Sequence, residues 1–169
     1  INSKEVKKNY IFFGIKGKNI DGNKFADEAL KKKASICILE KNYSKKNSRK
    51  IFGKDTLKTF SNLSCIIRKS LGTPIVAITG SAGKTSLKEI IGQSLNTLIP
   101  TSYSKKSFNN QYGVPLSLFN IDMKHKIGVF EIGMDKKGEI YKLSNLIQPN
   151  IGVITNISYA HIKNFKSIK

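Results

Sequence analysis

The chain has 169 residues, 39% of them hydrophobic, enough to bury a core in one large or two small domains. No apolar run approaches the roughly 18 residues a membrane span needs, and the stretch from Tyr10 to Ile15 is too short for a signal-peptide core, so the cytoplasm is the default location. The net charge of +19 would suit a nucleic-acid binder, but of 30 basic residues only two, Arg49 and Arg68, carry the guanidinium that base and phosphate readers favour, and nucleic acid is not expected as a partner.

The lysines are spread over nearly every predicted surface, and their positive field would draw in anionic nucleotides at low salt. Along the first part of the chain, residues 10–15 and 35–39 read as strands. Between them lies a short helix capped by Asn23 that carries Phe25, Ala26, Ala29 and Leu30 inward. Residues 41–50 are polar and basic and read as a surface loop. A brief strand at 50–52 follows, and Asp55 then caps a helix with the apolar face Leu57, Phe60, Leu63, Ile67 and Leu71, ended by Gly72 and Pro74. Cys37 and Cys65 sit among apolar neighbours without metal-ligand spacing, as small buried hydrophobes.

A second part begins near residue 72. Residues 74–79 form a β-branched strand run, and Leu87, Ile90, Ile91, Leu95 and Leu98 follow at helical spacing. Segments 113–121, 126–133, 138–147 and 150–156 continue the alternation, with 113 starting a helix. The pattern predicts an α/β protein whose parallel sheet is wrapped by helices, with ligands gathering at the carboxyl ends of the strands. The chain starts at Ile1 rather than Met and stops after residues 160–169 without a closing element, so it is expected to be a piece of a longer protein.

Residues 74–88 place a glycine-rich turn between strand and helix, the arrangement of a phosphate cradle. Gly80 and Gly83 let the backbone bend and approach closely, so N–H groups and the positive helix end converge on phosphate oxygens. Lys84 adds a mobile cation, and the Thr85 hydroxyl is placed for Mg²⁺. Ile78 stands where the strict pattern has its first glycine, so the match is to the shorter GxxGK[ST] form.

Glu131 lies in an otherwise apolar strand, where a carboxylate is costly unless a divalent cation or a lysine compensates it. His161 follows a strand expected beside that of Glu131. It reads as a metal ligand, a phosphate contact or an unremarkable loop histidine, whereas His125 belongs to an exposed turn. Asn109 and Asn110 precede a helix start and suit a ligand with carbonyls and phosphates, or simply a tight turn.

Taken together, TGSAGKTS (79–86), FNNQYGVPLSL (108–118), EIGMDKKGEI (131–140) and TNISYAH (155–161) resemble the central ATPase domain of the Mur ligases. Residues 2–25 are similar to the uridine-binding domain that precedes it, with Asn2-Ser3-Lys4 in place of the usual Asp-Ser-Arg. The resemblance implies a uridine-binding domain over 1–72 and part of a P-loop ATPase domain over 73–169. It implies ATP phosphates held by Gly80, Ser81, Ala82, Gly83, Lys84, Thr85 and Ser86, one Mg²⁺ on Thr85 and Glu131, and a second helped by His161. Lys84, Glu131 and His161 would be the catalytic set, and Ser3, Asn109 and Asn110 substrate contacts.

The implied reaction joins D-alanyl-D-alanine to UDP-N-acetylmuramoyl-tripeptide through an acyl phosphate, carried out by a monomer. A sister ligase of the same superfamily, a folate polyglutamylating enzyme, a nucleic-acid-dependent ATPase and a non-catalytic nucleotide-binding module stand as rivals.

Overall fold

The computed structural model describes residues 2–40, 43 and 47–159, which fall into two compact units, Ile1–Phe60 and Ser61–Lys169. In the first unit, strands β1 (Ile11–Phe13), β2 (Ile36–Glu40) and β3 (Lys50–Gly53) form a parallel sheet in that order. Helix α1 (Ala26–Lys31) crosses between β1 and β2, preceded by a 3-10 turn at Gly22–Phe25. The core comprises Phe12, Ala26, Ala29, Leu30, Ala34, Cys37 and Leu39. Burial pushes the Cys37 thiol up, consistent with an inert packing role.

Two details differ from the sequence reading. Asp21, not Asn23, caps the turn, accepting from the Asn23 backbone N–H at 3.0 Å. Asn23 is buried instead, where its Oδ1 accepts from the Glu40 N–H at 2.9 Å, and Phe25 points outward.

Helix α2 (Thr56–Leu71) starts as expected, with Asp55 Oδ1 accepting from the Lys58 N–H at 2.8 Å. Its fully buried residues are Thr56, Phe60, Ser64 and Arg68, one residue every four, while Leu57, Leu63, Cys65, Ile67 and Leu71 are only half-buried. The second compact unit takes in the last turns of α2 from Ser61, which pack within it through Leu71 and Arg68.

The second unit is a parallel sheet in the order β5–β6–β4–β7, formed by β4 (Ile75–Thr79), β5 (Thr101–Tyr103), β6 (Ile127–Glu131) and β7 (Ile151–Ile154). Helices α3 (Lys84–Asn96), α4 (Gly113–Leu118) and α5 (Glu139–Ile147) connect them. The short polar strand β5 has no counterpart in the sequence reading. Nor does β7 lie beside the Glu131 strand: it pairs with β4, which separates it from β6.

Alternation along the strands sorts side chains to two faces. Ile75, Ala77, Phe130 and Ile132 pack with Val114, Leu118, Leu143 and Ile147 of α4 and α5. Val76, Ile78 and Val129 face Leu87, Ile91 and Leu95 of α3. Ile90 and Leu98, expected on that face, are exposed because they lie off the stripe, and Lys88 and Gly92 are the buried residues of α3. Gly92 is required there: a Cβ would lie 2.6 Å from the Tyr103 ring. His125 turns out half-buried, its ring beside Asp122, rather than exposed. Among the described residues no helix is long and apolar enough to cross a membrane.

Arg68 closes the far end of α5. Its guanidinium donates to the carbonyl oxygens of Ile147 at 3.0 Å and Gln148 at 3.2 Å, where Gln148 ends the helix in the left-handed conformation. We expect Arg68→Ala to destabilise the second unit by about 1–3 kcal/mol, since buried carbonyls lose their donors, as read by urea unfolding.

Candidate functional site

The cradle begins where β4 ends. Gly80 has φ 134° and Gly83 φ 79°, values that L side chains rarely adopt, and a Cβ on Gly80 would lie 2.1 Å from Thr155 Oγ1. The loop therefore presses against the segment after β7, and that segment braces it. Asn156 accepts twice, its backbone oxygen from the Ser81 N–H and its Oδ1 from the Ala82 N–H, both at 3.0 Å. Thr155 Oγ1 donates to Ala82 O at 2.6 Å, and Ser81 Oγ accepts from the Ser158 N–H at 2.8 Å.

The expected convergence of loop N–H groups is thus partial. Ser81 and Ala82 spend theirs on Asn156, while the first-turn N–H groups of Lys84, Thr85 and Ser86 precede the first intrahelical bond, Leu87 N–H to Gly83 O at 2.9 Å. Lys84 folds back over the loop, its Nζ donating to Gly80 O at 2.6 Å and to Ser81 O at 3.4 Å.

Strand alternation sends Glu131 to the same face as Val129, towards α3, in register with Ile78 of β4. The carboxylate is 1% exposed. Thr85 Oγ1 donates to its Oε2 at 2.8 Å and Asn109 Nδ2 to its Oε1 at 2.7 Å, and among the described residues no cationic side chain is within ion-pairing distance. A buried carboxylate with two neutral donors is short of positive charge. Its oxygens and the Thr85 hydroxyl form a hard donor set of the kind a divalent cation such as Mg²⁺ takes.

Asn109 reaches Glu131 because residue 133 is glycine. A Cβ at Gly133 would lie 2.7 Å from Asn109 Cγ, and the Gly133 N–H donates to Asn109 O at 2.7 Å. Asn110 serves the next helix, its Oδ1 accepting from the N–H groups of Tyr112 and Gly113 at 3.0 Å. Beside these residues opens a cleft of about 440 Å³, lined by Lys84, Asn109, Asn110, Tyr112, Asp135 and Glu139 among others. Backbone N–H groups of Asp135 and Lys136 hold the Glu139 carboxyl below its ordinary range.

Thus Lys84, Thr85, Glu131, Asn109 and Asn110 come together at one end of the sheet. His161 lies outside the described residues. Ser3, in the first unit, is buried with its Oγ donating to Glu28 Oε2 at 3.1 Å; Lys32 and Ser3 together hold the Glu28 carboxyl below its usual range. Sequence reasoning placed Thr155 and Asn156 at a strand end without the bracing role they have.

A parallel sheet with a glycine-rich loop feeding a helix, and an acidic residue at the neighbouring strand end, defines a P-loop-type α/β domain. The Mur ligase middle domain, as a family, matches residues 78–169, and the chain belongs to the Mur ligases. It is 36% identical over 168 residues to the UDP-N-acetylmuramoyl-tripeptide–D-alanyl-D-alanine ligase of Buchnera aphidicola from Acyrthosiphon pisum, covering 99% of this chain and 37% of the relative. The crystal structure of MurF from Acinetobacter baumannii superposes with a TM-score of 0.88 at 28% identity, over 99% of this chain and 37% of the other. MurF from Thermotoga maritima, solved in complex with ADP, gives a TM-score of 0.87 at 31% identity over 99% of this chain and 39% of the other. The chain therefore spans a little over a third of the length of these relatives, and the family resemblance seen in its motifs is borne out.

The bracing contacts are testable without a ligand. We expect Asn156→Ala to speed amide exchange at Ala82 by about tenfold, the loss of the one hydrogen bond its Oδ1 accepts, while Ser81, which donates to the backbone oxygen of residue 156, and the amides of β4 keep their protection.

Proposed function

We propose that this chain carries the nucleotide-gripping part of an ATP-dependent amide ligase that joins D-alanyl-D-alanine to UDP-N-acetylmuramoyl-tripeptide. The enzyme would act as a cytoplasmic monomer in cell-wall precursor synthesis. The observation that carries the reading is the buried, uncompensated Glu131 carboxylate 2.8 Å from the Thr85 hydroxyl at the head of the cradle helix. Support for the substrates comes from relatives bearing that activity in their names, and for the nucleotide from a relative solved with ADP.

On this reading Lys84 exchanges its bonds to Gly80 O and Ser81 O for the terminal phosphate of ATP, and the N–H groups of the first turn of α3 receive phosphate oxygens. Thr85 and Glu131 would hold Mg²⁺, which supplies positive charge against the phosphate oxygens during transfer. His161 is assigned to a second Mg²⁺ by the resemblance alone. The tripeptide carboxylate attacks the γ-phosphorus and ADP leaves, giving an acyl phosphate. The amine of D-alanyl-D-alanine then attacks the acyl carbon, phosphate leaves, and the nitrogen loses its proton as the amide forms. No protein nucleophile is needed; the residues position the reactants and stabilise charge.

Asn110 and the cleft beside it are assigned to the peptide-bearing substrate, and the first unit, with Ser3, to its uridine end. Since Ser3 Oγ is engaged with Glu28, uridine binding would use that pair together.

In a protein of full family length, ATP turnover is expected to require both the UDP-linked tripeptide and D-alanyl-D-alanine. Turnover indifferent to either would overturn the assignment. Lys84→Ala should lower kcat/KM by about a hundredfold or more while the protein stays folded, and unaltered kinetics would remove Lys84 from the site. Glu131→Gln should raise the Mg²⁺ concentration needed for half-maximal rate, yet leave the nucleotide-free protein as stable or more so, because a buried charge is removed. A melting temperature that falls with unchanged metal dependence would contradict both statements.

A further inference from the structure

Among the described residues, Lys88 and Glu131 are the charged side chains buried below 2% exposure, and the chemistry above uses only one of them. Lys88 lies one turn beyond Lys84 and Thr85 on α3, the helix face that meets the sheet. An ammonium has three N–H donors, and each finds an acceptor: Glu89 Oε1 at 2.5 Å, Ser104 O at 2.7 Å and Lys106 O at 2.9 Å. Two of the three are backbone carbonyls of the segment that leaves β5.

That segment is tied to Glu131 in two further ways. Ser104 Oγ accepts from the Glu131 backbone N–H at 3.4 Å, and three residues past Lys106 the Asn109 amide donates to the Glu131 carboxylate at 2.7 Å. The Glu131 side chain is held from the other side by Thr85, on the same helix as Lys88. Lys88 therefore fixes the spacing between the two elements that grip Glu131.

We propose that Lys88 is a positioning residue, a buried clip that holds the segment 104–109 against the cradle helix so that Asn109 and Thr85 converge on Glu131 in the geometry its metal-binding role requires. The inference rests on the reading of Glu131 and Thr85 as the Mg²⁺ site. An apolar residue of similar length would fill the same space, but would leave the two carbonyls unpaired and the segment free to drift. Groups that orient the ligands of a metal typically contribute about 10- to 100-fold in affinity or activity when removed.

The test compares Lys88→Met, Asn109→Ala and their combination in a protein of full family length. Without nucleotide or metal, Lys88→Met should speed amide exchange over residues 104–109 while β4 and β6 keep their protection. With substrates present, it should raise the Mg²⁺ half-saturation and lower kcat by about 10- to 100-fold, while the KM for D-alanyl-D-alanine stays within about twofold. The double variant should be no worse than the more impaired single one, because both act through the same carboxylate. Additive effects, or unchanged Mg²⁺ dependence with loosened exchange, would overturn the proposal. So would a general loss of folding in both Lys88→Met and Lys88→Gln, which would make Lys88 a core support and nothing more. If the unaltered protein turns over no ATP with these substrates, the ligase reading fails instead, and the exchange measurement still decides whether Lys88 clips the segment.

Discussion

A carboxylate withdrawn from water and given only neutral donors is the constraint around which the second unit is organised. Glu131 keeps one bond from a threonine hydroxyl and one from an asparagine amide, and its negative charge is left for something else to balance. In a domain that needed only stability, a leucine at that position would pack against Val129 and Ile78 at lower cost. Holding the charge there is a local sacrifice of stability of the kind that binding sites accept.

The sheet makes the sacrifice possible. With β4 at the centre and β6 beside it, the loop after Thr79 and the carboxylate at the end of β6 open on the same edge, and strand alternation turns Glu131 towards the helix that follows the loop. β7, on the other side of β4, delivers Thr155 and Asn156 under the loop. The glycines at 80 and 133 mark where backbone or side chain must pass too closely for a Cβ. Each of these placements is a consequence of strand order. A β7 paired with β6 would leave the loop without its braces.

How much of this could be read from the residues depends on the range of the interaction. The cradle was legible because its glycines, Lys84 and Thr85 lie within six positions of one another, between a β-branched run and a helical stripe. Glu131 stood out as an acid in an apolar strand. The joining of Asn109 to Glu131 was not legible, since it depends on Gly133 clearing space and on the path of a loop. Strand β5 escaped notice because three residues, each bearing a hydroxyl, give no alternation to detect; its neighbours in β6, not its own propensity, make it a strand. The burial of Arg68 on α2 and of Lys88 on α3 runs against hydrophobic patterning, and both are settled by carbonyls contributed from distant segments.

The residues under the cradle also have an optical consequence. The chain contains no tryptophan, so its ultraviolet emission is dominated by tyrosine. Ile157 is exposed and sits between Asn156 and Ser158, both bonded to the loop. A single indole introduced there would be the sole red-shifted emitter in these 169 residues, coupled to the loop through its immediate neighbours yet contributing nothing to the grip itself. The position offers a native address for a spectroscopic gauge of cradle motion.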